Sequence, residues 1–333
     1  MREIGSEFWL ERDPAALFHE RNGRYVLSGR TAIDLIIQDI IKSKPINKAY
    51  LPAWCCDSMV DPFLNRGIQV DFYDMSFDGN LHYNIDTDTP TDIFYVSNYF
   101  GYETTVNKEI ILHFKEKGAT IIYDRTHSFL IDDEIEADYT FASIRKWMGV
   151  VAGAVVNGVN ECRLKPYLHL DCKEQAMRLK KAFIEGDLSV EKQTFLNLYG
   201  EFGHHLVEDY QNYEMDDLSY GLYKTEDIDA MRHKRGENAQ YLHENLKNVR
   251  FIGELTNKVV PLFVPVFFDT IEHRNTVRKK LIEAQIYCPI HWPKNKLITS
   301  EMRVNRIFDT ELSLICDQRY GIADMKRIIE TIQ

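Results

Sequence analysis

Segments with the pattern of β-strands alternate with segments with the pattern of α-helices throughout residues 28–160. Residues 31–42, for example, carry apolar side chains at helical spacing, whereas residues 119–124 form a short apolar run that ends in an aspartate. This alternation is typical of βαβ units, and it predicts an α/β fold with a mostly parallel sheet covered by helices on both faces. Ligands of such sheets bind at the carboxyl ends of the strands, so the residues there are the first candidates for a functional site.

The predicted elements define two domains. In the first, strands are expected at residues 48–54, 68–75, 92–101, 119–124, 137–143 and 153–158, and helices at residues 31–42, 59–67 and 107–118. Residues 172–210 have no strand pattern and predict two or three helices, within an insert at residues 165–210. The remaining chain predicts a long helix at residues 225–247 with Thr225 as a candidate N-cap, a strand at 259–268, and helices at 273–285 and 324–332. We therefore expect a large domain over residues 1–224 and a smaller α+β domain over residues 225–333.

Composition excludes several classes of function. The formal net charge of −11 argues against nucleic acid as the main partner, because phosphate backbones are bound by clustered positive charge. The start of the chain lacks a charged head followed by an apolar stretch, and no apolar run is long enough to span a bilayer, so we expect a cytoplasmic protein without a membrane partner. The six cysteines show no metal-ligand spacing, which predicts reduced thiols and no metal site.

An aspartate and a histidine follow the apolar strand at residues 119–124, in the segment YDRTHSFL. A buried carboxylate is costly without a cationic partner, and a protonated pyridine nitrogen would be such a partner for Asp124. That interaction would let the pyridine ring act as an electron sink, and His127 could reach a neighbouring substituent of the ring. The alternatives for Asp124 are a cap and a metal ligand.

Lys146 lies in the segment FASIRKWMG, between a strand-like stretch and a small apolar one. An apolar pocket turns a lysine amine into a nucleophile, and the alternative is a solvated surface lysine. Ser143 and Arg145 beside it could reach a phosphate or a partner chain.

Two further segments complete the pattern. The turn SGRTA (28–32) opens a helix, and its backbone N–H groups could bind an anion, unless Ser28 is a simple N-cap. Trp54 follows a strand and belongs either to the core or against a cofactor ring. These features occur in the order that is typical of fold-type I pyridoxal-phosphate enzymes: a phosphate turn, an aromatic residue, Asp-x-x-His, Ser-x-x-Lys and a small closing domain.

These segments resemble the DegT/DnrJ/StrS family of sugar aminotransferases over residues 25–160 and 210–333. The motifs that carry the resemblance, in addition to Trp54, Asp-x-x-His and Ser-x-x-Lys, are SGRTA (28–32), VDFYD (70–74), SNYFG (97–101), NYEMDD (212–217), IYCPIHWP (286–293) and LSLICDQRY (312–320).

The resemblance implies PLP-dependent transferase fold type I with pyridoxal 5′-phosphate (PLP) as the cofactor. Lys146 would hold the cofactor as a Schiff base, Asp124 would contact the pyridine nitrogen, and His127 would contact the ring hydroxyl; these three form the catalytic set. The cofactor-binding residues that the resemblance implies are Gly29, Arg30, Thr31, Trp54, Asp124, His127, Ser143, Lys146 and Asn212. In the family, the asparagine of the NYEMDD-like motif reaches the phosphate of the neighbouring subunit, so Asn212 implies a homodimer with shared active sites.

The implied reaction is a transamination in two half-reactions. Glutamate or glutamine would donate the amino group, and the freed amine of Lys146 would move the proton as general base and acid. A nucleotide-linked keto-sugar would accept the amino group, which suggests a role in polysaccharide or secondary-metabolite biosynthesis.

The sequence departs from the family at three places. Glu214 stands where the family has arginine, and WMGVVAGA (147–154) replaces the glycine-rich stretch after the lysine. The predicted helical insert lengthens the segment between Lys146 and Asn212. The substrate therefore stays open.

The sequence also bears on three functions other than transamination. A dehydration on the same scaffold is disfavoured by Lys146, because the sugar dehydratases of this type carry histidine there. A non-catalytic cofactor-binding relative is compatible with Glu214 and the altered lysine segment. A dinucleotide-binding oxidoreductase is disfavoured because no G-x-G-x-x-G follows a first strand. The helical insert is interpreted as a structural elaboration or dimer surface, and alternatively as a lid with His204 and His205 near the substrate.

Overall fold

The computed structural model describes residues 2–16, 24–102, 106–132, 135–160 and 162–333. The strands of these residues, in chain order, are β1 (Ile4–Gly5), β2 (Arg24–Val26), β3 (Lys48–Pro52), β4 (Gln69–Phe77), β5 (Leu81–Asn84), β6 (Ile93–Ser97), β7 (Thr120–Asp124), β8 (Tyr139–Ser143), β9 (Ala154–Asn157), β10 (Arg250–Phe251), β11 (Val264–Phe267), β12 (Ile286–Tyr287) and β13 (Glu311–Leu314). The helices are α1 (Gly29–Ile41), α2 (Asp57–Leu64), α3 (Lys108–Glu116), α4 (Leu170–Glu185), α5 (Lys192–Glu208), α6 (Asp217–Lys224), α7 (Ile228–Asn245), α8 (Ile271–Glu283), α9 (Asn305–Thr310) and α10 (Ile322–Ile332).

The predicted alternation of strands and helices is confirmed. Helix α1 begins after the N-cap Ser28, whose hydroxyl accepts the N–H of Thr31, and it buries Ile33, Ile36 and Ile37 at helical spacing. The predicted insert contains two helices, α4 and α5. None of the described helices combines the length and the apolar character that crossing a bilayer requires.

The predicted N-cap of the long helix α7 is wrong. The carboxylate of Asp227 caps this helix by accepting the N–H of Ala230, and Thr225 instead lies at the C-terminal end of α6. Asp227 takes this role because it directly precedes the first helical residue, where a side-chain oxygen can reach the free N–H groups.

The chain divides into two compact units. Unit 1 consists of Met1–Ser6, Ile46–Asp138 and Asp227–Gln333, and unit 2 of Glu7–Pro45 and Tyr139–Glu226. The predicted domain boundary after residue 224 lies two residues before the end of unit 2. The units otherwise differ from the predicted domains, because residues 46–138 belong to the same unit as the C-terminal third of the chain. The division into domains at 1–224 and 225–333 stays a prediction.

Unit 1 contains the mostly parallel sheet that the sequence predicts. Its strand order is β7-β6-β3-β4-β5, in which β7, β6, β3 and β4 are parallel and β5 is antiparallel to β4. The antiparallel sheet β10-β11-β13 and the parallel pair β1-β12 belong to the same unit. A buried aromatic cluster packs on this sheet and includes Trp54, Tyr73, Phe94, Tyr99 and Phe100.

Unit 2 combines three antiparallel strands with helices. Strand β9 pairs with β2 on one side and with β8 on the other. Helices α4 and α5 form a pair that holds residues 7–13, for example through the Tyr199 hydroxyl, which donates to the carbonyl of Phe8 at 2.9 Å. These contacts support the structural interpretation of the helical insert.

Candidate functional site

Asp124 is the last residue of β7, beside Ser97 at the end of β6. Its Oδ2 atom accepts the hydroxyl of Tyr95 at 2.9 Å, and its Oδ1 atom accepts the backbone N–H of Thr126 at 2.8 Å. The Asp124 side chain is buried. Burial of Tyr95, together with the nearby Asp124 carboxylate, raises the pKa of Tyr95 well above its ordinary value, so the Tyr95 hydroxyl stays a donor. The carboxylate is therefore held in one orientation at the carboxyl end of a parallel strand.

His127 lies on the turn that follows Asp124 and is also buried. Its Nδ1 atom accepts the backbone N–H of Phe100 at 3.3 Å. Because Nδ1 is an acceptor, the proton of the neutral ring lies on Nε2. His127 can thus donate a hydrogen bond through Nε2, as a ligand of a ring oxygen requires.

The segment SNYFG owes its shape to Gly101. This residue has φ +81°, and a Cβ atom on it would lie 2.0 Å from the carbonyl oxygen of Val260. Phe100 before it has φ +60°. Only glycine permits both this backbone conformation and this approach, so Gly101 fixes the turn that presents the Phe100 N–H to His127.

Trp54 is a core residue in the structure. Its side chain is 0% exposed and stacks on Tyr99, with the ring centroids 4.7 Å apart and the planes inclined by 7°. Its indole N–H donates to the carbonyl of His291 at 2.5 Å. The structure therefore shows Trp54 packed in the core, and its contact with a cofactor ring stays a prediction.

A hydrogen-bonded group of His291, Ser313 and Glu311 lies beside these residues and was missed in the sequence. Nδ1 of His291 is 2.8 Å from the Ser313 hydroxyl, which donates to Glu311 at 2.5 Å, and the His291 N–H donates to the same carboxyl at 2.7 Å. Burial raises the pKa of Glu311 to about 8. The ring centroids of His291 and His127 are 5.9 Å apart. The sequence signal that could have revealed this group is Glu311, a carboxyl residue in the buried strand β13 (ELSL).

In unit 2, Ser28 in the helix-opening turn is the N-cap of α1, and further polar groups contact this cap. The hydroxyls of Ser28 and Thr31 are 2.9 Å apart, and the Thr31 hydroxyl donates to the carbonyl of Tyr210 at 2.8 Å. Arg30 is half-buried, with its guanidinium 5.5 Å from the Tyr210 ring centroid. Both interpretations of this turn are compatible with these contacts, because the N-terminus of α1 keeps its dipole whatever the cap.

The structure brings this turn and the lysine segment together. A Cβ atom on Gly29 would lie 3.6 Å from Cβ of Ser143, the last residue of β8. A single 3₁₀ turn, Ile144–Lys146, follows, so Lys146 is half-buried one turn beyond Ser143. The altered stretch after it contains Gly149, where a Cβ atom would lie 2.3 Å from the carbonyl oxygen of Trp9. The segment after the lysine therefore packs against the chain at residues 8–9.

Asn212 lies on the same unit as the turn. It has φ +60°, and its side-chain oxygen accepts the amide N–H of Gln38 on α1 at 2.9 Å. Glu214 is half-buried, and its backbone N–H donates to the carbonyl of Lys165 at 3.0 Å. The expected contact of Asn212 with a neighbouring subunit stays a prediction.

The chemistry of these groups fits PLP. Unit 1, taken by itself, contains a buried carboxylate and an imidazole N–H donor. Unit 2, taken by itself, contains an amine and a helix N-terminus beside a serine. These are the groups that bind a pyridine nitrogen, a ring oxygen, an aldehyde and a phosphate. Among the described residues, no three histidine, cysteine, aspartate or glutamate side chains form a group that could hold a metal ion.

Neither a protein-family model nor a curated protein matches the chain. Solved structures do match. PseC of Helicobacter pylori, an aminotransferase involved in the biosynthesis of pseudoaminic acid, is similar over 100% of this chain and 98% of its own, with TM-score 0.71 and 12% identity.

Two further structures give the same result. A DegT/DnrJ/EryC1/StrS aminotransferase from Brucella abortus matches 94% of this chain and 85% of its own, with TM-score 0.63 and 14% identity. NtdA of Bacillus subtilis with bound cofactor PMP matches 94% of this chain and 73% of its own, with TM-score 0.65 and 16% identity. The predicted fold class is confirmed: the chain has the fold of these aminotransferases, PLP-dependent transferase fold type I.

Proposed function

We propose that this chain is a PLP-dependent aminotransferase. The observation that carries the proposal is the position of Lys146 on the 3₁₀ turn directly after β8, one turn beyond a serine that packs against the N-terminus of α1. In a chain with the fold of aminotransferases, this arrangement sets a nucleophilic amine near an anion-binding helix end.

The proposal assigns roles to the following candidate residues. Lys146 would hold the cofactor covalently, and its amine would serve as general base and acid. When bound, the cofactor supplies an electron sink. Asp124 holds a proton on the ring nitrogen, and His127 donates its Nε2–H to the ring hydroxyl. The start of α1 at Gly29–Thr31, with Ser143, binds the phosphate.

The proposal extends to the substrates and the assembly. We infer that glutamate or glutamine donates the amino group and that a nucleotide-linked keto-sugar accepts it, in polysaccharide or secondary-metabolite biosynthesis. We also propose a homodimer in which Asn212 reaches the cofactor phosphate of the neighbouring subunit. A cytoplasmic location is supported by the six free cysteines.

The proposal is tested by the half-reaction with the amino donor. With added PLP, the protein is expected to show an absorbance band at about 410–430 nm that L-glutamate shifts to about 330 nm, as lysine-bound cofactor chemistry requires. Asp124→Asn is expected to keep the first band and to slow the shift by about 100-fold or more, because the charge on the ring nitrogen is no longer stabilised. The exposed Asp88→Asn is the control and should behave like the wild type.

A band that L-glutamate leaves unchanged would identify a cofactor-binding relative without transaminase activity. An unaltered rate in Asp124→Asn would remove Asp124 from the proposed mechanism.

A further inference from the structure

A buried hydrogen-bond relay in unit 1 joins Glu311, Ser313 and His291, and the proposed transamination does not use it. Oε1 of Glu311 is 2.5 Å from Oγ of Ser313, and Oγ is 2.8 Å from Nδ1 of His291. Oε2 of Glu311 accepts the backbone N–H of His291 at 2.7 Å. Glu311 and Ser313 are 0% exposed, so these polar groups satisfy one another rather than bulk water.

The protons in the relay can be counted. A serine hydroxyl has one hydrogen, so Ser313 donates to Glu311 or to His291, but not to both. The two contacts therefore need a second proton. With Glu311 charged, Ser313 donates to it and Nδ1 of His291 carries the second proton. With Glu311 protonated, the carboxyl donates to Ser313, and Ser313 donates to Nδ1.

The surroundings of Glu311 select the protonated arrangement at neutral pH. Burial raises the pKa of Glu311 to about 8, although the charge of Arg274 on α8 acts in the opposite direction. The neighbouring thiol of Cys288 stays neutral, because burial raises its pKa to about 12. Oε2 accepts a backbone N–H, so the carboxyl proton lies on Oε1 and is donated to Ser313. Nδ1 of His291 is then an acceptor, and the proton of the neutral ring lies on Nε2.

His291 lies beside the candidate ligand of the cofactor ring. Its ring centroid is 5.9 Å from that of His127, and the two planes are inclined by 84°. Phe100, whose backbone N–H donates to His127, is also in contact with His291, at 5.1 Å between ring centroids. In such a T-shaped pair, the edge of one ring meets the face of the other, and the interaction depends on the charge at that edge. The position of the His291 proton therefore affects His127.

We propose that Glu311, acting through Ser313, is a positioning residue that sets which ring nitrogen of His291 carries the proton, and that His291 thereby acts on His127. The action on His127 rests on the proposed function, whereas the arrangement of the protons concerns the relay alone. When Glu311 loses its proton, Ser313 turns to donate to the carboxylate and Nδ1 of His291 becomes a donor. One proton is released to solvent, and the ring stays neutral while its proton moves from Nε2 to Nδ1.

The test follows the protonation of the His291 ring nitrogens by NMR. The full-length chain is labelled with ¹⁵N-histidine and saturated with PLP, and His291→Gln identifies the His291 signals. The wild type is expected to show the Nε2–H form at about pH 6.5 and the Nδ1–H form at about pH 10. The midpoint of the change should lie where Glu311 loses its proton, at about pH 8.

Two variants test whether Glu311 controls the change. Glu311→Gln is expected to keep the Nε2–H form up to about pH 10, because a glutamine amide donates to Ser313 as the protonated carboxyl does. Ser313→Ala is expected to abolish the change at about pH 8, because it removes the link between Glu311 and His291. The exposed Glu283→Gln is the control and should behave like the wild type.

The wild-type measurement decides even if a variant fails to fold. A His291 ring that keeps the same protonated nitrogen from about pH 6.5 to about pH 10 would overturn the proposal. A change that Glu311→Gln leaves at the wild-type pH would overturn it as well, because Glu311 would then not control it.

The action on His127 is measured by the rate at which L-glutamate shifts the cofactor band. The ratio of the rates at about pH 9 and about pH 7 should be about tenfold higher in Glu311→Gln than in the wild type, because the variant keeps the neutral-pH form of His291. Equal ratios would overturn this action. Absence of a band at about 410–430 nm would overturn the proposed function and the action on His127, while the NMR measurement still decides on the protons of the relay.

Discussion

Asp124 and His127, which are proposed to contact the cofactor ring, lie in unit 1. Lys146, which is proposed to bind the cofactor covalently, lies in unit 2, and the two units hold these residues in different ways. In unit 1, Asp124 and His127 are held by donors from Tyr95 and Phe100 beside a buried aromatic cluster. In unit 2, Lys146 ends a single 3₁₀ turn and is half-buried. Unit 1 therefore fixes its candidate groups by buried hydrogen bonds, whereas the candidate amine of unit 2 stands on a short turn and is only half-buried.

The largest effect is expected where the packing of unit 1 is tightest. Gly101→Ala should lower the free energy of unfolding by more than about 4 kcal/mol or prevent folding, because the new Cβ would overlap the Val260 carbonyl at a positive φ. Gly67→Ala is the matched control: φ is +71°, but no atom lies within 4 Å, so only about 1 kcal/mol is expected. Urea denaturation of both variants measures the difference. Equal losses would show that backbone conformation alone, and not the close approach, constrains this turn.

A smaller effect is expected from the pH dependence of unit 1. The pKa of Glu311 is raised from 4.5 to about 8, so in this range the native state keeps a proton that the unfolded chain releases. The free energy of unfolding should therefore fall as the pH rises from about 4.5 to about 8. Glu311→Gln should reduce that fall by a few kcal/mol, measured by urea denaturation at several pH values.

The exposed Glu283→Gln serves as the control for Glu311 and should leave the pH profile unchanged. If the free energy of unfolding of Glu311→Gln depends on pH as it does in the wild type, the Glu311 carboxyl is charged in the folded state. That result would contradict the description of unit 1 as the unit that buries its polar groups.

The smallest effect is expected at the helix cap of unit 2. Ser28→Ala should lower the free energy of unfolding by about 1 kcal/mol, and Ser28→Gly by only a few tenths, because glycine is an acceptable N-cap. Both values come from thermal denaturation. Losses of several kcal/mol would mean that the turn is as tightly constrained as the Gly101 turn of unit 1.

The fold could be predicted because its signals are local. Helix α1 shows its apolar spacing within 13 residues, and Ser28 directly precedes it as a cap. The same holds for β7, a five-residue apolar strand that ends in Asp124. The misplaced N-cap of α7 differs by two residues, which is the usual uncertainty of an element boundary.

The parts of the candidate site that could not be predicted depend on contacts between distant residues. Glu311 and His291, for example, are 20 residues apart in sequence, so no local pattern reveals this pair. For Trp54, the sequence does not reveal the stacking on Tyr99, which lies 45 residues away in the chain.

The central claim, that Lys146 binds PLP, is tested most directly by trapping the bond. The protein is incubated with PLP, reduced with sodium borohydride, digested and analysed by mass spectrometry, beside Lys146→Ala and the control Lys42→Ala, which replaces an exposed lysine of the same unit. The account predicts a pyridoxyl label on the peptide that contains Lys146, in the wild type and in Lys42→Ala, and its loss in Lys146→Ala. A label on another lysine, or none on the wild type, would contradict it.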